Sequence, residues 1–191
     1  MAMTTLDPHT ALIVIDMQRG IALRDNLAPH PASEIIDRAG RLVDRFRTYG
    51  RLVVLVNVDA VPPGRTDRNA GAVRPRLSEE STEFIDEFAP EPTDLVVTKH
   101  SRSAFAGTGL ADDLRSRGIT QVVVVGIASG AGVESTARDA HEAGFNVTLP
   151  TDAMTDSIGE RHAHSVREVF PEIAETGSTA DLLELLDAAA Q

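Results

Sequence analysis

A chain of 191 residues, 42% hydrophobic and 25% charged, has the length and balance of one compact domain, which excludes disordered, fibrous and collagen-like architectures. A net charge of -11, with basic residues scattered singly among acids, repels a phosphate backbone and argues against a nucleic-acid partner. The absence of cysteine excludes a disulfide framework, a thiolate zinc site and any cysteine nucleophile in this chain.

The first eight residues carry no basic region followed by a long apolar run, and no later run approaches bilayer-spanning length. Neither a signal peptide nor a membrane anchor is expected, and the chain reads as cytoplasmic. Residues 11–15 form the first continuous apolar run, the pattern of a strand buried on both faces. Ile35, Ile36, Ala39, Leu42, Val43 and Phe46 then follow one face of a helix, with Ser33 as the predicted N-cap and Gly50 as the stop. A second strand is predicted at 52–56. The stretch 59–76 holds Pro62, Pro63, Gly64, Gly71 and Pro75, the composition of a long surface loop.

A third strand follows at 95–97, then a helix over 110–117 stopped by Gly118, and a fourth strand at 122–125. A helix over 133–143, stopped by Gly144, precedes a weaker strand at 146–149. Helices at 162–170 and 180–189 complete the chain, the last with Ser178 and Asp181 spaced like a capping box in which Asp replaces the usual Glu or Gln. This alternation predicts a doubly wound α/β fold.

Ligands of open parallel sheets bind beyond the carboxyl ends of the strands, where the strand order reverses. Those ends carry Asp16 and Gln18 after the first strand, Asn57 and Asp59 after the second, Lys99 and His100 after the third, and 126–132 after the fourth. Asp16 follows five apolar residues, which places its carboxylate at a strand tip, partly desolvated. It is either an acid or base, or a carboxylate that caps the following turn. Lys99 holds the matching place on its strand, where its ammonium could pair with that carboxylate; read alone, it is an ordinary strand-end charge. The 126–132 turn is rich in small residues, so a ligand can approach backbone N–H groups at a helix start. Its glycine spacing does not match a dinucleotide fingerprint. Asp59 has no histidine near it before His100, so no metal is expected. His162 and His164 lie two apart on a predicted helix, point to different faces, and read as solvated positions.

Three segments in register carry a resemblance. Ala-Leu-Ile-Val-Ile-Asp-Met-Gln (11–18), Thr-Lys-His-Ser-Arg-Ser-Ala-Phe (98–105) and Gly-Ile-Ala-Ser-Gly-Ala-Gly-Val-Glu-Ser-Thr-Ala-Arg-Asp-Ala (126–140) look like the signature segments of the isochorismatase-like hydrolases of the cysteine hydrolase superfamily. The resemblance covers essentially the whole chain. It implies one domain over 1–191, a doubly wound, mainly parallel sheet with helices on both faces, a small-molecule substrate, no cofactor, and a homo-oligomer. It assigns Asp16 and Lys99 to catalysis and places the family's nucleophilic cysteine on Gly132, so the covalent mechanism cannot operate. It further implies a non-proline cis peptide between 127 and 128, with the N–H groups of Ala128 and Gly132 as oxyanion donors.

Gln18, Arg102, Ser103, Phe105 and Ser129 are expected to line the pocket. Ser129, the hydroxyl of the turn, has no neighbouring base identifiable from sequence, which leaves water as the expected nucleophile. Isochorismatases proper set a precedent, since that branch cleaves a vinyl ether without the cysteine: the Asp protonates the enol-ether carbon and water captures the cation. Such a donor needs a raised pKa while Lys99 lowers it, so burial has to outweigh the lysine. In this reading Gly132 makes room for substrate. The alternative is a catalytically silent binding or regulatory protein on the same fold; a third reading is a nucleotide site at the glycine turn.

Overall fold

The apolar runs assemble into a seven-stranded sheet in which every strand pair is parallel. The computed structural model describes residues 3–67 and 76–189, so part of the predicted 59–76 loop lies outside the described residues. In chain order the elements are β1 (Thr10–Ile15), α1 (Arg19–Ala22), α2 (Ala32–Thr48), β2 (Val53–Val58), α3 (Glu79–Thr82), β3 (Leu95–Lys99), α4 (Leu110–Ser116) and β4 (Gln121–Ile127). A wide helical turn, Ser129–Val133, leads into α5 (Glu134–Glu142). Then come β5 (Asn146–Pro150), β6 (Met154–Thr155), α6 (Gly159–His164), α7 (Phe170–Ile173), β7 (Glu175–Gly177) and α8 (Thr179–Ala189).

The strand order is β3-β2-β1-β4-β5-β7, with β6 paired to the end of β4. The chain therefore winds outward from β1 in one direction and from β4 in the other, and the switch point lies between these two strands. Both are buried along their whole length. Alternate residues serve opposite layers. Leu12, Val14, Val123 and Val125 pack with Phe46 of α2 and Leu182 of α8. Ala11, Ile13, Ile15 and Val124 pack with Leu114 of α4 and Ala137 of α5 on the other face. Each such aliphatic side chain contributes about 1.5–3 kcal/mol by leaving water, which is why the runs show no polar alternation.

Several local expectations change. α2 begins at Ala32 with Pro31 in the cap position, and Ser33 lies inside the first turn. Pro31 has its φ fixed at -67° and supplies the first carbonyl, accepting from the Glu34 N–H at 3.1 Å, so a serine cap is not required. β6 and β7 were not expected, since two or three residues of mixed polarity leave no run; pairing to β4 and β5 alone defines them. The helical path predicted at 162–170 starts earlier, at Gly159, and passes through a wide turn at Ser165–Val169 before α7. The unusual capping box does form. The Ser178 N–H donates to Asp181 Oδ2 at 2.9 Å and the Asp181 N–H to Ser178 Oγ at 3.1 Å.

Gly126 is the tightest point of the switch. Its φ is 113°, and a Cβ there would stand 2.2 Å from the Ile15 carbonyl oxygen. Only glycine lets β4 run this close to the end of β1. Among the described residues no helix is long and apolar enough to cross a membrane.

Candidate active site

Asp16 leaves β1 with φ 54°, the left-handed region that aspartate tolerates better than most residues. Its N–H is held by the Val56 carbonyl at 2.8 Å, which anchors this uncommon backbone at the sheet's carboxyl edge. Lys99 ends β3, two strands away, and only a long side chain can cover that distance. Its Nζ donates to Asp16 Oδ2 at 2.8 Å and to the Ser101 carbonyl at 3.2 Å. The pair is enclosed, with Lys99 1% and Asp16 5% exposed. Asp16 Oδ1 is buried and has no hydrogen-bond partner among the described residues.

Burial and the lysine act on Asp16 in opposite directions. Desolvation raises its pKa from 3.8 to about 6, outweighing both the charge of the Lys99 ammonium and its hydrogen bond, each of which lowers it. Part of the carboxyl population is thus protonated near neutral pH, and an acid beside a cation becomes chemically accessible.

The turn after β4 faces this pair. The peptide between Ile127 and Ala128 is cis, and the Ala128 carbonyl accepts from Ala131 and Val133 at 3.0 and 3.1 Å. A Cβ placed on Gly132 would lie 2.9 Å from Ile15 Cγ2 and 3.4 Å from Asp16 Oδ2. The glycine thus permits close approach of the turn to the end of β1 and to the Asp16 carboxylate.

A cavity of about 750 Å³ lies beside the segment that follows β3; Asp16, Lys99, Ala128 and Gly132 are not among its lining residues, and the Ser101 carbonyl that accepts from Lys99 belongs to a residue of its wall. Ser101, Ser103 and Ser135 contribute to its wall, and Arg65 and Arg102 line it together with Asp67. Among the described lining residues, two guanidinium groups stand against one carboxylate, a local positive excess on a chain of charge -11. Not every expected residue reaches the site. Both ends of the Gln18 amide are committed: Oε1 accepts from the Val58 N–H at 2.7 Å, and Nε2 donates to the Val58 and Ser81 carbonyls at 3.0 and 2.8 Å. Gln18 ties the β1 tip to β2 and α3. The Phe105 ring packs on Phe145, 6.0 Å between centroids, and Phe145 precedes β5 at the opposite end of the sheet.

Two readings of the polar groups are corrected. His162 is buried, and its Nδ1 lies 2.8 Å from Ser129 Oγ. Ser129 does have a base beside it, and His162 is no solvated helix residue. Its spacing from Val166, Val169 and Phe170 puts it on the apolar face of its helical segment, the signal that could have found it. Ser129 nevertheless has no exposed surface, so the hydroxyl is held in place and not presented to a ligand. Asp59 pairs with His100 and, at 3.2 Å, with Arg76. Among the described residues no cluster of three or more His, Cys, Asp or Glu could hold a metal ion.

Comparison with known proteins decides the family. Residues 10–181 match the Isochorismatase domain. The chain belongs to the isochorismatase family. It is 37% identical over 181 residues to the uncharacterized isochorismatase family protein YwoC of Bacillus subtilis (strain 168), covering 92% of this chain and 93% of that one. It is 32% identical over 176 residues to the ureidoacrylate amidohydrolase RutB of Variovorax paradoxus (strain S110), covering 78% and 69%. The solved structure of an isochorismatase family protein from Burkholderia thailandensis superimposes with a TM-score of 0.90 at 32% identity, over 97% of this chain and 100% of that one. The isochorismatase fold, a doubly wound α/β architecture, is therefore shared from β1 to α8.

Proposed function

We propose that this protein hydrolyses a small carboxylate-bearing molecule without a covalent enzyme intermediate, Asp16 serving as acid and base. The observation that carries this reading is the Asp16 carboxyl itself: buried, raised to about 6, paired through Oδ2 to Lys99 and left with an unpartnered Oδ1. A chain without cysteine that keeps such a group has the means for proton transfer and none for thiol attack. Gly132 stands where thiol-dependent relatives would carry their nucleophile.

For a vinyl ether bearing a carboxylate, the steps balance as follows. The Asp16 carboxyl donates its proton to the terminal enol carbon, forming a C–H bond and leaving an oxocarbenium centre. Water adds to that centre, and its proton returns to the Asp16 carboxylate. The resulting hemiketal collapses to a keto acid and an alcohol, with the oxygen-bound proton passing to the departing alkoxide. Lys99 holds Asp16 in position and stabilises its anion after donation. The N–H groups of Ala128 and Gly132 are the candidate anion donors, and Arg65 and Arg102 offer a site for the substrate carboxylate.

A panel of enol ethers, amides and esters, each with and without a carboxylate, tests the reading in wild type and Asp16→Asn. Turnover of carboxylated enol ethers, lost by at least about a hundredfold in the variant, is expected. A wild type that binds panel members yet converts none would make this a binding or regulatory protein instead.

A further inference from the structure

The turn that carries Ala128 and Gly132 has two faces. The Gly132 side meets Ile15 and Asp16, whereas the Gly130 side meets Arg161, Asp156 and Ser165. On this second face lie buried polar groups that the proposed reaction does not use. Ser129 Oγ and His162 Nδ1 are 2.8 Å apart. Asp156, with no exposed surface, accepts the Gly130 N–H through Oδ2 at 2.9 Å. Its Oδ1 accepts from the Ile158 N–H at 3.1 Å and the Ser157 hydroxyl at 3.4 Å. Its own backbone is fastened to Ala28 by reciprocal bonds of 2.7 and 3.0 Å. A buried carboxylate is costly to keep unless donors meet it, and here one of those donors is an amide of the turn.

We infer that Ser129, His162 and Asp156 are positioning residues, a buried clamp that sets the direction of the backbone N–H groups between Ala128 and Gly132. The inference rests on the hydrolytic reading of that turn, but the clamp also has a consequence that can be read without turnover. Held on one face by the clamp, the turn presents fixed amide dipoles to the other face, where the substrate carboxylate or the departing alkoxide of the proposed reaction would sit. Without it, the glycines at 130 and 132 leave the backbone free to reorient.

The groups facing His162 come from three elements. Ser129 approaches from the turn, Asp156 from the link after β6, and His30 edge-on from the segment before α2, with ring centroids 5.8 Å apart. Behind His30 stand Arg38 at 3.2 Å and Glu34 at 3.4 Å. Burial holds His162 below the usual imidazole range; His30 adds to this and Asp156 opposes it. In the tautomer protonated at Nε2, Nδ1 accepts the Ser129 hydroxyl proton. Protonation turns Nδ1 into a donor, and the Ser129 hydroxyl oxygen then accepts, which reverses the direction of this bond.

Hydrogen exchange of the full-length protein tests the clamp in Ser129→Ala, His162→Phe, Asp156→Ala and His162→Asn. Amides 128–133 should exchange about tenfold faster or more in the first three. They should stay near wild type in His162→Asn, whose side-chain oxygen can still accept the serine proton. On any substrate found in the panel, His162→Phe should lower kcat about tenfold with KM changed less than about twofold. His162→Asn should keep kcat. Amides 128–133 that exchange as in wild type in both Ser129→Ala and His162→Phe would overturn the clamp. Faster exchange with kcat unchanged would overturn its link to the reaction. If the wild type converts nothing while the exchange pattern holds, the hydrolytic reading fails and the clamp stands.

Discussion

Asp16 holds a proton in the folded chain that it would release in the unfolded one. Its pKa is about 6 folded against an ordinary 3.8. The folded state thus binds more protons between those values, so the stability contributed by this group is fully present below pH 3.8 and is lost as pH rises through about 6. The amount is on the order of 3 kcal/mol. Asp16→Asn cannot titrate. The difference in unfolding free energy between wild type and this variant should therefore move by about 2–3 kcal/mol in the variant's favour between about pH 4 and about pH 7.5. Urea titrations at both ends measure it, and a constant difference would remove the raised carboxyl from the account. A second residue prediction concerns Gly132. Because a Cβ there meets Ile15 Cγ2 at 2.9 Å, Gly132→Cys should cost about 1–3 kcal/mol, and Ile15→Ala should recover part of that loss in a double-mutant cycle. Additive effects would mean that the strand end does not crowd the turn.

Among the elements, β1 and β4 matter most, since their separation defines the crevice in which Asp16 and the 126–132 turn meet. Gly126 sets that separation, its Cβ direction being blocked by the Ile15 carbonyl at 2.2 Å. Gly126→Ala should destabilise the protein by about 3 kcal/mol or more, because two backbones have to part or a strand register has to shift. Thermal denaturation of a soluble variant within about 2 °C of wild type would contradict this. The same crevice explains what could be read in advance. Runs of four or five apolar residues announce β1, β2 and β4 whatever their neighbours, whereas β6 and β7 exist only as pairings to β4 and β5. Ser33 failed as a cap since Pro31 already supplied the first carbonyl, and the Ser178–Asp181 box held because its partners lie three residues apart and need nothing from the rest of the fold.

For the molecule as a whole, charge is unevenly spent: a net -11 overall, with Arg65 and Arg102 facing one cavity. In the proposed reaction, an anionic substrate would be repelled at long range and attracted beside these two guanidinium groups. Arg102→Gln should raise KM for carboxylated substrates about tenfold, leave uncharged analogues within about twofold, and flatten the salt dependence of kcat/KM. Equal effects on both substrate classes would show that Arg102 shapes the cavity without reading charge. By itself the sequence determined the strand runs, the family, the absence of a thiol, and the placing of Asp16 and Lys99 at strand ends, for these follow from local apolarity and from residues adjacent along the chain. The tertiary structure alone decided the rest: that burial outweighs Lys99 at Asp16, that Ile15 crowds Gly132, and that His162 and Asp156 stand behind the turn. Desolvation and packing depend on what surrounds a group in three dimensions, and Ser129 and His162, thirty-three positions apart in sequence, become neighbours only when α6 folds back over the end of β4.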